Sequence, residues 1–131
     1  MSIADAGWQD SDFEAIVPLL NELPSLQSLD ASHNPLSDAA LVSLGRVPRL
    51  LDVHISHTSV SLHDAEVVGQ LQQVVRLSLV GCKIDQESFL NLRDMQGLRI
   101  VFVSTQAVSA SVLEELQRVR PTLQIYEADW P

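Results

Sequence analysis

The chain has 131 residues, which is enough for one compact domain, and 46% of them are hydrophobic, which is enough for a core. Its 17 acidic and 8 basic residues give a net charge of -9, which disfavours nucleic acids and anionic membrane surfaces because both are bound through Lys and Arg. A protein partner with a basic surface would be attracted to such a chain.

The N-terminal segment, residues 1–23, lacks a strand pattern and predicts a helix from Asp12 to Glu22 with Asp10 or Ser11 as its N-cap. We expect this helix to form an N-terminal cap, because the terminal unit of a repeat stack has to cover its apolar end. Five large apolar side chains are expected to pack there: Trp8, Phe13, Val17, Leu20 and Leu23.

From residue 24 onward, four segments align at a spacing of 24 residues and fit the pattern L-x-x-L-x-L-x-x-N-x-L. They begin at Leu26, Leu50, Val74 and Leu98. Apolar residues alternate within each segment, which predicts a short strand with one buried face. We therefore expect a single domain over residues 1–131, with repeats starting near residues 24, 48, 72 and 96 and a last strand and tail at 120–131.

The second half of each repeat keeps the same spacing and predicts a short helix, because its apolar positions recur every three residues. The resulting columns are Leu41, Ala65, Phe89 and Leu113; Leu44, Val68, Leu92 and Leu116; and Val47, Leu71, Met95 and Val119. The predicted N-caps are Ser37, Ser61, Asp85 and Ser109. Connections between parallel strands are almost always right-handed, so the sequence predicts a right-handed α/β solenoid with a parallel sheet on the concave side and short helices on the convex side.

This repeat resembles the bacterial 24-residue leucine-rich repeats that are abundant in planctomycete proteins and occur in the GALA effectors. Their pattern is roughly T-x-V-T-D-A-G-L-x-x-L-x-x-L-x-x-L, and Asn34-Pro-Leu-Ser-Asp-Ala-Ala-Leu41 and Thr58-Ser-Val-Ser match parts of it. The resemblance covers residues 24 to about 126, and the units at 84–97 and 108–120 depart from the T-D-A-G-L core. It implies that the concave sheet binds a ligand, and it supplies no catalytic residues.

Alternation along the strands places a second set of residues on the concave face. The C-terminal repeats carry apolar groups there, and interfaces favour an aromatic centre with a polar rim. We predict that Phe102 and Tyr126 anchor a protein partner, unless the C-terminal segment folds over them. The full predicted contact surface is Asp30, Asp52, His54, Arg76, Val80, Ile100, Phe102 and Tyr126.

The histidines define a second candidate site. His33 and His57 are 24 residues apart and are expected to be neighbours on adjacent strands. Together with His54 and Asp30 they are candidate ligands for a metal ion or a pH-responsive cluster, although their spacing matches no known metal signature. We predict no cofactor.

The single cysteine, Cys82, excludes an internal disulfide. It shares a column with Asn34, Thr58 and Gln106, which is expected to point inward, so we interpret it as structural.

The sequence contains no nucleophile elbow, P-loop, H-E-x-x-H or dinucleotide glycine motif, so we predict no enzymatic activity. It shows no signal peptide and no apolar run of membrane-spanning length, so we expect a cytoplasmic protein. The function we predict is a protein–protein interaction module. The alternatives are a structural or self-assembly domain of a larger protein, which could associate through the edge strand at 123–127, and a metal- or pH-responsive binder that uses the histidines.

Overall fold

A computed structural model describes residues 1–130 and contains one five-stranded parallel sheet with its strands in chain order. Leu29, Val53, Leu77 and Val101 pair in register, each 24 residues from the next, and all four side chains are fully buried. This register confirms the predicted parallel sheet and core-facing column. The strands are β1 (Ser28–Asp30), β2 (Asp52–His54), β3 (Arg76–Ser78), β4 (Ile100–Val103) and β5 (Gln124–Glu127).

Short helices alternate with the strands, and α1 precedes β1. None of the helices within residues 1–130 is long and apolar enough to cross a bilayer. The helices are α1 (Asp10–Asn21), α2 (Ala39–Leu44), α3 (Ala65–Gly69), α4 (Gln86–Phe89) with a following 3-10 helix (Leu90–Asp94), and α5 (Ala110–Val119).

The predicted helix columns are buried where the helices keep the repeat register. The column Leu44, Val68, Leu92 and Leu116 is buried throughout. Ala65 is exposed, because α3 begins only at this residue and Leu62 is buried just ahead of it. Leu113 is half-buried and Val119 is 45% exposed, since no further repeat follows α5 within the described residues.

Two of the four predicted N-caps are confirmed: Asp85 accepts from the Ser88 N–H and Ser109 from the Val112 N–H. Ser37 and Ser61 are not N-caps, because α2 is preceded by Asp38 and α3 by Asp64. These two serines instead donate to a carboxylate of the preceding unit, a contact that joins neighbouring repeats.

The contact at Asp38 shows the chemistry of this junction. The Ser61 N–H and Oγ–H donate to the two carboxylate oxygens at 2.7 and 2.6 Å, and His63 Nδ1 lies 2.5 Å from Oδ2. Partial burial would raise the pKa of the Asp38 carboxyl, but the hydrogen bonds from Ser61 and Leu62 and the nearby His63 outweigh it and hold the pKa below its ordinary value. Asp10 accepts from Ser37 N and Oγ in the same way, at 2.8 and 2.5 Å.

The N-terminal end differs in detail from the sequence prediction. Helix α1 begins at Asp10, two residues earlier than predicted, after Gln9, whose N–H donates to the Asp12 carboxylate at 2.9 Å. The first residues also extend the sheet, because the Ile3 N–H donates to Asp30 O at 2.8 Å. The expected packing is confirmed for Phe13, Val17 and Leu20, which are buried, and for Trp8, which is partly buried; Leu23, however, is 45% exposed beyond the end of α1.

Arg120, at the end of α5, fastens the last helix to the preceding loop. Its Nη1 donates to Met95 O and its Nη2 to Leu98 O, both at 2.7 Å. Desolvation, reinforced by the charge of Arg99, lowers the pKa of the Arg120 guanidinium, which still stays protonated in proteins. Sequence reasoning did not single out this residue, because an exposed and a loop-bonded arginine give the same pattern.

Candidate protein-binding surface

The strand residues predicted to face outward divide into three columns with different exposure. In the first column Asp52 and Ile100 are half-buried and Arg76 is exposed. In the second column Asp30, His54 and Phe102 are half-buried, and Tyr126 is 46% exposed. Seven of the eight predicted contact residues are therefore at least partly accessible on the concave face.

Val80, the eighth residue, is 1% exposed, so the prediction that it contributes to the surface was wrong. Its column lies where the chain turns out of the strands, and the preceding members, Ser32 and Ser56, are buried too. The Ser56 N–H donates to Ser32 Oγ and the Val80 N–H donates to Ser56 Oγ, both at 3.1 Å. These bonds draw neighbouring turns together and enclose the column.

Three aromatic rings meet at the C-terminal end of the concave face and form what we call the aromatic cluster: Phe102, Tyr126 and Trp130. Phe102 stacks on Tyr126 with ring centroids 5.6 Å apart, and the Trp130 ring lies 5.1 Å from Phe102 at an angle of 41°. Tyr126 and Trp130 are 46% and 41% exposed. Sequence reasoning did not include Trp130, because no strand pattern fixed the direction of the chain after Glu127.

The C-terminal segment folds partly over the surface, which was the alternative considered from the sequence. The Trp130 carbonyl oxygen lies 2.7 Å from His57 Nε2, while its ring contacts Phe102 of β4. Because β3 lies between β2 and β4, the tail has to cross β3 to make both contacts. Ser78, at the end of β3, is fully buried.

His54 joins two neighbouring strands at the centre of the surface. Its Nδ1 lies 3.0 Å from Ser78 Oγ and its Nε2 lies 3.1 Å from Asp52 Oδ1. The second contact is at ion-pair distance but lacks hydrogen-bond geometry, which leaves the buried Oδ1 without a hydrogen bond. Asp30 is engaged locally, since its Oδ1 accepts from the Ser32 N–H at 3.0 Å. This polar half can accept or donate hydrogen bonds to a ligand.

His33 and His57 are neighbours, as their spacing predicts, and their rings stack with centroids 4.5 Å apart. The stack continues onto Gly81, where an added Cβ would come within 2.2 Å of His57 Nδ1 and φ is +79°. Only glycine fits this position without displacing the ring. Over residues 1–130 no group of three or more His, Cys, Asp or Glu side chains is arranged to hold a metal ion, so His33, His57, His54 and Asp30 do not converge on one.

Cys82 lies in the inward column together with Asn34 and Thr58. Its Sγ donates to Ile55 O at 3.2 Å, and Thr58 Oγ1 donates to the same oxygen at 2.7 Å. Burial raises the pKa of the Cys82 thiol, which disfavours the reactive thiolate. Gln106, the fourth member of the column, is exposed instead and has a left-handed φ of 62°.

Comparison with known proteins supports the fold. No protein-family model matches the chain, and neither does any curated protein. The solved structure of a leucine-rich-repeat protein from Leptospira interrogans is similar, with a TM-score of 0.59 and 19% sequence identity. The match covers 83% of this chain, which spans 27% of that neighbour's length. With the five parallel strands and intervening helices, this likeness shows that the chain has the leucine-rich-repeat fold.

Proposed function

We propose that the chain is a protein-interaction module that binds its partner through the concave sheet, with Phe102 and Tyr126 as the anchors. The observation that carries this proposal is the aromatic cluster. Its rings are partly exposed on a surface that protein ligands can reach, and aromatic side chains contribute disproportionately to interface energy.

The fold itself does not require aromatic residues at these positions. Phe102 pairs in register with Ser78, and Ser78 pairs with His54, so the earlier repeats carry polar groups in the same column. Apolar groups that are exposed without a packing reason often mark contact sites. This contrast between repeats supports a binding role for Phe102 and Tyr126.

The polar groups beside the cluster supply the rim of the proposed interface. Asp30, Asp52, His54 and Arg76 occupy the first three strands, and Ile100 lies between them and the aromatic rings. Rim groups contribute more to orientation and specificity than to affinity. We therefore assign them a selective role and assign the affinity to the rings.

The bacterial 24-residue class is the subfamily we propose for this chain. The strict 24-residue strand register and the bacterial origin of the structural neighbour support it. We also propose binding rather than catalysis, since the described groups on the concave face do not include a nucleophile paired with a base.

Self-association is a second candidate function, because β5 ends the sheet and pairs on one side with β4. An exposed edge strand can pair with another chain. The molecular mass in solution tests this candidate: a concentration-dependent dimer that is lost when Ile125 is replaced by Pro would support it, and a monomer at all concentrations would contradict it.

Affinity capture from the source organism tests the main proposal, with Tyr126→Ser as the variant and Leu19→Ser as the matched control. Both residues are exposed and apolar or aromatic, at 46% and 61%, but Leu19 lies on α1, away from the concave sheet. We expect wild type and Leu19→Ser to retain the same partner and Tyr126→Ser to lose it. Equal retention by all three chains would contradict the proposal.

A further inference from the structure

The C-terminal tail, residues 128–130, lies on the concave face instead of leading away from it. The Ala128 N–H donates to Val103 O at 2.9 Å and continues the pairing of β4 with β5. Two residues later the Trp130 carbonyl accepts from His57 Nε2. Since a carbonyl oxygen can only accept, this contact requires the imidazole proton on Nε2. The tail thus runs from the edge of the sheet back towards its middle.

Polar contacts at the turn after β4 also hold the tail. Thr105 Oγ1 donates to Asp129 Oδ2 at 2.9 Å and its N–H donates to Oδ1 at 3.3 Å. The neighbouring Gln106 N–H donates to Glu127 Oε1 at 3.2 Å. Two successive backbone N–H groups therefore face two carboxylates that are two residues apart in the chain.

These contacts are exposed, so they hold the tail weakly. The Thr105 and Gln106 bonds lie at the surface, where water competes for the same groups, and Trp130 is 41% exposed. Segments with few buried contacts open locally at low free-energy cost. The tail can therefore leave the surface while the solenoid stays folded.

The surface beneath the tail has the shape and chemistry of a subsite for one aromatic side chain. Trp130 borders a groove of about 170 Å³ whose lining includes Asp30, His54 and His57. Phe102 lies on its other side. An aromatic residue with an apolar body and a polar end suits such a site, because it contacts a ring and hydrogen-bonding groups at once.

We propose that residues 128–130 are an internal occupant of a peptide-binding subsite, and that a partner inserts an aromatic side chain where Trp130 lies. This inference rests on the proposed function and adds the kind of partner that the surface fits. The contacts of the tail define that partner as an extended segment with carboxylates shortly before an aromatic residue, whose main-chain carbonyl meets His57. Partner binding then requires release of the tail.

The test uses the full chain and a synthetic peptide of its own tail, Glu-Ala-Asp-Trp-Pro. The peptide is titrated to a few millimolar into the ¹⁵N-labelled wild type and into the double variant Asp129→Ala/Trp130→Ala, which frees the subsite. Backbone NMR signals of His57, Phe102 and Thr105 report binding. We expect saturable shifts in the variant and about tenfold weaker apparent affinity in the wild type if the tail is docked nine-tenths of the time.

A second peptide, Glu-Ala-Asp-Ala-Pro, is the matched control and should produce no saturable shifts. The inference is overturned if the tryptophan peptide does not shift His57 and Phe102 in the double variant, or if it binds both chains equally. An unchanged melting temperature shows that the double variant is folded. Loss of the subsite by this test leaves Tyr126-dependent capture intact, whereas failure of that capture would remove the proposed function itself.

Discussion

The two ends of the solenoid are closed by different kinds of contact. At the N-terminal end Asn34, which is 2% exposed, donates to Ile3 O at 2.9 Å and accepts from the Trp8 N–H at 2.9 Å. At the C-terminal end Gln106, in the same column, is exposed, and the tail is held by surface bonds. Buried polar contacts stabilise the first end, whereas the second end keeps accessible groups that are available for binding.

The largest effect on stability is expected from Asn34→Ala. The change removes bonds to both Ile3 and Trp8 in a buried site, and each buried polar group left unsatisfied costs about 1–3 kcal/mol. We expect the free energy of unfolding to fall by about 3 kcal/mol, as measured by urea denaturation. Gln106→Ala is the matched control and should change it by less than about 0.5 kcal/mol. Equal losses in the two variants would show that the ends are closed alike.

An intermediate effect is expected from Asp38→Asn, which weakens the contact between neighbouring repeats. Hydrogen bonds to a charged group are worth about 1.5–3 kcal/mol, and asparagine keeps one of the two acceptor oxygens, so we expect a loss of about 1–2 kcal/mol. Urea denaturation at neutral pH measures this loss. Asp129→Asn, in the exposed tail, is the control and should leave unfolding unchanged.

The pH dependence of the same variant sharpens this prediction. The folded-state pKa of Asp38 is lowered, so its stabilisation is present above the model value of 3.8 and is lost as pH falls through the lower folded-state value. Asp38→Asn should therefore make stability less sensitive to pH below about 4. An acid limb identical to that of the wild type would contradict this role for the Asp38 carboxylate.

The smallest effect is expected at Cys82, in the middle of the stack. Burial raises the pKa of the thiol, so a thiol reagent at pH 8 should modify the native chain much more slowly than the urea-unfolded chain. Cys82→Asn should change stability by less than about 1.5 kcal/mol, because the amide can bond to Ile55 O as the thiol does. Rapid modification of the folded chain would show that this column is open.

The sequence was sufficient to predict the sheet and its register, because each core position recurs four times at one spacing. Leu29, Val53, Leu77 and Val101 each face the same environment, so one local pattern determines all of them. The N-caps Asp85 and Ser109 were predictable for the same reason, since their bonds to Ser88 and Val112 are local.

Features that depend on distant contacts were not predictable from the repeat. Val80 is enclosed by a bond to Ser56, in the preceding repeat, and the course of the tail is fixed by Phe102 and His57. Ser61 fits the N-cap pattern, but its partner is Asp38 of the preceding unit. Local sequence patterns do not encode such partners.

The binding role of the C-terminal half is tested most directly by measuring partner affinity and melting temperature together for Tyr126→Ala. Tyr126 is 46% exposed, so its truncation should leave the melting temperature nearly unchanged. Loss of an aromatic anchor should lower affinity by about 2 kcal/mol or more, which is roughly 30-fold. If the variant loses stability and keeps its affinity, Tyr126 is a packing residue, and the binding surface lies in the half that carries Asp52 and His54.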